Sequence, residues 1–277
     1  MLEIKKKLLK KSEKIIIIIA VIAITAYIVK AADKKLFNKE ISDRSVCSID
    51  MVFISAVGGG FCLDKYEASV GSDCSYENPK NQIETSANLN LPNCRPLSIA
   101  KKIPWRNISQ NQAAMACAKA GKRLPTNKEW LQAALGTPDK ELGWNSDDCQ
   151  VGNNWEIQPG LAGTGKNCVS AAGAYDMIGN VWEWTNGTIY EGAYNSKPLP
   201  DEGYITGVDE DSMPSAINSN ISDANYYNDY FWQKKTGTRG IARGGYWNNK
   251  SDGGQYAVYA VNPPSFSGEG VGFRCAK

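Results

Sequence analysis

Eight cysteines, all downstream of a single apolar run, constrain this chain more than any other feature. The run is Ile15 to Val29, uncharged, with lysines 5, 6, 7, 10, 11 and 14 ahead of it and Lys30 closing it. An apolar segment behind a lysine block directs export, with the positive flank kept cytoplasmic. The run is shorter than the roughly 20 residues of a helical span, but Lys14 and Lys30 can snorkel and Ala31-Ala32 lengthen it. Residues 1–32 are therefore expected to be a single-pass membrane anchor, with the C-terminal body extracytoplasmic at the cell surface. The alternative is a signal segment cleaved with Val29 and Ala31 at the −3 and −1 positions, which leaves a secreted protein. In either case cysteines 47, 62, 74, 94, 117, 149, 168 and 275 are exported, and an even set in that setting implies disulfides. About a hundred complete pairings are conceivable. No C-x-x-C occurs, so zinc ribbons and thioredoxin chemistry find no support.

The chain contains no histidine. Ser-His-Asp and Cys-His catalysis and histidine-ligated metals are thereby excluded. Charge is unevenly spread. Residues 1–35 hold nine lysines against Glu3, Glu13 and Asp33, so a chain of net charge +2 has an acidic body. A body with no basic stripe is not expected to bind nucleic acid.

Residues 33–46 read as a polar tether and 47–277 as one domain. Met51–Ile54, the glycines 58–60 and Phe61–Glu67 read as a hairpin. Residues 70–97 look loop-like. Ser109 with Gln112 forms a capping box that opens a helix through Ala120, and Gly121 suits the left-handed position after it. Thr126 with Glu129 opens a second helix that fades at Gly136. Residues 186–240 read as a polar insertion with little apolar periodicity. The expectation is an α+β domain with two helices, many short antiparallel strands and a loop-rich remainder.

Four motifs follow in order: Gly121–Trp130 (GKRLPTNKEW), Gly173–Trp184 (GAYDMIGNVWEW), Arg243-Gly244-Gly245 and Gly272-Phe273-Arg274-Cys275. Strand alternation puts Trp182 and Trp184 on one face, as expected core residues, and Glu183 on the other. Together the motifs resemble the formylglycine-generating enzyme (sulfatase-modifying factor) family over about residues 48–277. The resemblance implies a C-type lectin-like fold. It also implies a bond from Cys117 to Cys275. Cys149 and Cys168 bracket a short loop and are taken as a pair, leaving Cys47–Cys62 and Cys74–Cys94 as local closures. In the family's copper enzymes two cysteines follow the Gly-Gly strand; aligned on Arg243-Gly244-Gly245, those positions here are Asn249 and Gly254. Neither offers a soft ligand for Cu(I), so no catalytic residue is assigned and no enzyme activity is expected. The resemblance also implies a calcium site from Asp176, Gly179, Val181 and Glu183, hard oxygen donors from one tight segment. Calcium is the one ion implied, and no cofactor is required.

The strip 242–275 is similar to the variable region of proteins diversified by retroelements (diversity-generating retroelement variable proteins). Their templates hold Asn codons at exposed positions, and copying errors at adenines randomise them. Asn248, Asn249 and Asn262 keep Asn. Asp252, Tyr259, Val261, Phe266, Gly268 and Gly270 can each be reached from an AAC codon by adenine changes alone, whereas Lys250, Gln255 and Glu269 cannot. Tyr246, Trp247, Tyr256, Tyr259 and Phe266 beside adaptable Asn, Ser and Gly form a paratope-like mixture; Trp247 and Phe273 are the expected core members. The expected binding face is Tyr246, Asn248, Asn249, Asp252, Tyr259, Val261, Asn262, Phe266, Gly268 and Gly270. The function implied is an exported binding protein for a protein or glycan ligand on another cell, virus or surface. The alternatives are an undiversified, inactive structural or carbohydrate-binding ectodomain and a formylglycine-generating oxidase.

Overall fold

A computed structural model describes residues 47–56 and 59–277, and Cys47–Lys277 form one compact unit. The apolar run 15–29, the segment 1–32, the tether 33–46 and Gly58 lie outside the described residues. Among the described residues no helix is long and apolar enough to cross a membrane.

The chain begins with an antiparallel hairpin of β1 (Met51–Ala56) and β2 (Gly59–Asp64), then β3 (Ala68–Val70), α1 (Gln82–Asn90), β4 (Pro96–Ser98), α2 (Gln110–Lys119) and α3 (Asn127–Ala134). After a long coil come β5 (Trp182–Tyr190), β6 (Ala193–Tyr194), β7 (Lys197–Pro198), β8 (Gly203–Val208) and β9 (Pro214–Asn218). The chain closes with β10 (Tyr230–Gln233), β11 (Thr238–Arg243), β12 (Val258–Ala260) and β13 (Val271–Phe273). The main sheet runs β7-β6-β5-β11-β12-β10-β8-β9, with β13 also on β5. This is an α+β, C-type lectin-like fold.

Three features differ from the sequence expectation. Among the described residues there are three α-helices, because α1 forms inside the segment read as loop. Asn81 caps it, its side-chain oxygen accepting from the backbone N–H of Ile83 and Glu84, and Thr85, Asn88 and Leu89 turn inward. Two strand pairs, β10–β12 and β13–β5, are parallel. The insertion 186–240 is more than polar loop. It supplies β6 to β10, and its Leu199, Ile205, Met213 and Phe231 close a buried cluster with Ile241 and Val258.

The helices start where the capping boxes put them. Ser109 and Gln112 satisfy each other's backbone groups at α2, and Thr126 and Glu129 do so at α3. Past α2, Gly121 adopts φ 68°, a conformation a side chain disfavours. All eight cysteines are paired, as Cys47–Cys62, Cys74–Cys94, Cys117–Cys275 and Cys149–Cys168. Four disulfides place this domain in an extracytoplasmic or secreted setting.

Register explains the core. Phe273 lies opposite Trp184, Trp184 opposite Ala242, Ala242 opposite Tyr259, and Tyr259 opposite Trp232. Residues directly opposite share a face of the sheet, so this row projects to one side, joined by Trp182 two positions before Trp184. At one end Trp184 and Phe273 are fully buried, in a cluster with Ala113, Ala116 and Cys117 of α2. At the other end Tyr259 and Trp232 are only half-buried.

Candidate functional site

Where the row leaves the packed core, its aromatic side chains form the wall of a cavity of about 360 Å³. Trp182, Trp232, Tyr259 and Val271 come from strands, and Tyr246 and Phe266 from loops. Trp182 meets Trp232 edge-on at 5.6 Å and Tyr259 at 5.4 Å, while Trp232 and Tyr259 are 6.3 Å apart. Ala242 leaves the space these large rings use. The rim consists of Asn249, Asn262, Gly268, Glu269 and Gly270.

The rim loop from Pro264 to Gly270 is held by its backbone rather than by its side chains. The N–H of Trp182 donates to the carbonyl of Gly270 at 2.8 Å, that of Asn107 to Gly268 at 3.0 Å and that of Asn111 to Pro264 at 3.3 Å. The side chain of Gln82 donates to the carbonyl of Ser265 at 3.2 Å. Gly244 and Gly245 turn the chain out of β11 at φ 90° and 91°. A Cβ on Gly244 would stand 2.8 Å from the carbonyl oxygen of Met177, so this turn requires glycine. Backbone anchoring of this kind lets side chains on the loop change without moving it.

Seven positions of the expected binding face line this one cavity: Tyr246, Asn249, Tyr259, Asn262, Phe266, Gly268 and Gly270. Three do not. Asn248 is exposed and accepts a hydrogen bond from the side chain of Asn153 at 2.7 Å, Asp252 sits in a 3₁₀ turn, and Val261 is half-buried beside the lining. One expectation is corrected and one is extended. Trp247 is half-buried against Tyr246, with ring centroids 4.9 Å apart, rather than a core residue. Trp182 packs in the core and also walls the cavity. Sequence reasoning missed Trp232, Glu269 and Val271 as lining residues. The dense Tyr230-Phe231-Trp232 run was the only signal for Trp232.

The two positions aligned with the family's cysteines serve other ends. Asn249 accepts from the backbone N–H of Tyr246 at 2.8 Å and lines the cavity. Gly254 lies against two carboxylates, Oδ1 of Asp229 and Oδ2 of Asp139, which converge where its Cβ would stand. Burial pushes Asp139 up to about 7, and burial together with the charge of Asp139 raises Asp229 well above the usual carboxylate range. Asp229 accepts from the N–H of Tyr256 at 2.7 Å and Asp139 from that of Gln255 at 3.1 Å. No cysteine is free.

Of the four residues of the expected calcium site, Glu183 has its carboxylate already engaged. Glu183 spends both carboxylate oxygens on Arg274, whose Nε and Nη2 donate at 2.7 and 2.5 Å, and one also accepts from Nε1 of Trp130 at 2.7 Å. A buried guanidinium already supplies the positive charge this carboxylate needs. Asp176 accepts from the backbone N–H of Gly163, and burial raises its carboxyl to about 7. Among the described residues no group of three or more acidic or cysteine side chains is arranged to hold a metal.

Residues 56–277 match the family described as the sulfatase-modifying factor enzyme 1-like domain. The formylglycine-generating enzyme of Mycobacterium tuberculosis is 34% identical over 93 residues, 28% of this chain and 31% of that one. The inactive C-alpha-formylglycine-generating enzyme 2 of Mus musculus is 29% identical over 126 residues, 39% of this chain and 40% of that one. The chain thus spans less than half the length of either relative. Among solved structures, the Major Tropism Determinant U1 variant is 17% identical, with a TM-score of 0.42 over 82% of this chain and 52% of that one.

Proposed function

The chain belongs to the sulfatase-modifying factor enzyme 1-like family, and within it we propose a protein that binds rather than catalyses. Its ligand site is the aromatic cavity, and the strip 242–275 that forms much of it is a surface diversified by a retroelement. The protein acts at the cell surface, or after secretion, on a partner outside the cell. One observation carries this reading. Seven of the ten positions chosen from the sequence as a binding face line a single cavity, and its rim loop Pro264–Gly270 is pinned by backbone hydrogen bonds. Large aromatic anchors beside adaptable amides are the chemistry of a paratope. Against catalysis stand the eight cysteines, all spent in disulfides, and the Asn249 and Gly254 that occupy the aligned positions.

The test is genomic. The DNA around the gene should hold a near copy of the segment encoding 242–275, with adenines at the codons of Tyr259, Phe266, Gly268 and Gly270, beside a reverse-transcriptase gene. A complete genome with no such copy would sink the diversification claim and leave an undiversified binding protein.

A further inference from the structure

We infer that the aromatic cavity takes a compact organic cation, a quaternary alkylammonium ion. This rests on the cavity being the binding site. Its walls are the rings of Trp182, Trp232, Tyr246, Tyr259 and Phe266, and ring faces carry negative potential that attracts a desolvated cation. Glu269 is the one charged residue among those lining it, and it is exposed at the rim. Glu202 and Asp252 act on Tyr230, whose ring packs on Trp232 at 4.8 Å; Lys250, beside Asp252, offsets part of this.

Hydrogen bonding selects among cations. Oδ1 of Asn249 already accepts from the backbone N–H of Tyr246, and the side-chain amide of Asn262 donates to the hydroxyl of Tyr259 at 3.3 Å. A primary ammonium brings three donors against one open amide acceptor, Oδ1 of Asn262, and the rim carboxylate of Glu269, and burying an unsatisfied donor is costly. A quaternary ammonium has no such need. Its charge is spread over methyl groups that aromatic faces accommodate. A cavity of about 360 Å³ is within the range of small-molecule sites.

The experiment titrates the full chain with choline and with its uncharged carbon isostere, 3,3-dimethylbutan-1-ol, following tryptophan fluorescence. Choline is expected to bind about tenfold more tightly than the isostere, the ratio a desolvated cation–π contact supplies. Trp232→Leu should weaken choline by a similar factor with the melting temperature as a check on folding, and Glu269→Gln should weaken it severalfold. Phosphatidylcholine vesicles distinguish a headgroup from a free ligand: capture by vesicles assigns the headgroup, choline binding without capture assigns a soluble ion, and both support the inference. An isostere that binds as tightly as choline, or no binding of choline at all, overturns it. In that event, a partner whose binding still needs Tyr259 and Phe266 leaves the cavity as the binding site. A partner indifferent to both removes the cavity from the account as well.

Discussion

Trp232 meets Trp182 edge to face at 5.6 Å, although β11 and β12 lie between their strands. The contact is made across one face of the sheet and ties the insertion to β5. It makes a wall from two residues that serve different ends. Trp182 is 5% exposed and shared with the core, whereas Trp232 is half-buried.

That division sets the first prediction. Trp184→Ala should destabilise the domain by about 3–5 kcal/mol, as truncation of a fully buried aromatic does. Trp232→Ala should cost less stability and more binding. Urea unfolding of both variants, alongside a binding measurement, separates the roles; equal losses of stability would merge them.

The second prediction concerns the bridge between α2 and the C-terminus. Cys117 and Cys275 are 158 residues apart in sequence, and such a long closure restricts the unfolded chain strongly. Replacing both by alanine should cost about 2–5 kcal/mol. Peptide mapping without reductant should recover the linked pair, and a free thiol at either position would contradict the assignment.

The carboxyl pair beneath Gly254 gives a pH signature. Asp139 and Asp229 both have folded-state values raised by burial above those of an unfolded chain, Asp139 to about 7. The folded state therefore holds protons that the unfolded state releases, and this contribution to stability is lost as pH rises from about 4 to about 7. Asp229→Asn, which keeps an acceptor for Tyr256, should flatten that fall. Melting temperatures of both proteins across this range test it, and parallel profiles would show that the pair does not titrate as described.

A fourth prediction is a negative one for chemistry. The protein incubated with Cu(I) should not convert a sulfatase-motif cysteine peptide to formylglycine. Turnover above background would show that Asn249 and Gly254 do not disable the site.

What could be read before the structure was local or covalent. The capping boxes at Ser109 and Thr126 lie within four residues each, and the period-2 pattern at Trp182 and Trp184 needs only one strand. The cysteine pairs taken from the resemblance and from spacing coincide with those in the fold. The rest depends on distant partners. Helix α1 has few apolar residues and gains its helical state from its Asn81 cap and the burial of Thr85, Asn88 and Leu89. Glu183 looked free to hold an ion because nothing near it in sequence marks Arg274 as its partner. Trp232 sits in a segment whose polarity hid its strands, and only the parallel pairing with Tyr259 brings it to the cavity.

The central claim is that the cavity face can vary while the fold holds. A display library randomised with NNC codons at Asn249, Tyr259, Asn262, Phe266, Gly268 and Gly270 measures this directly, sorted first for protease resistance and then for binding to a chosen target. The account predicts that most members resist protease as the parent does and that binders emerge with substitutions at these positions. A library in which most members are digested, with survivors restored to Tyr259 and Phe266, would show that the strip is ordinary core.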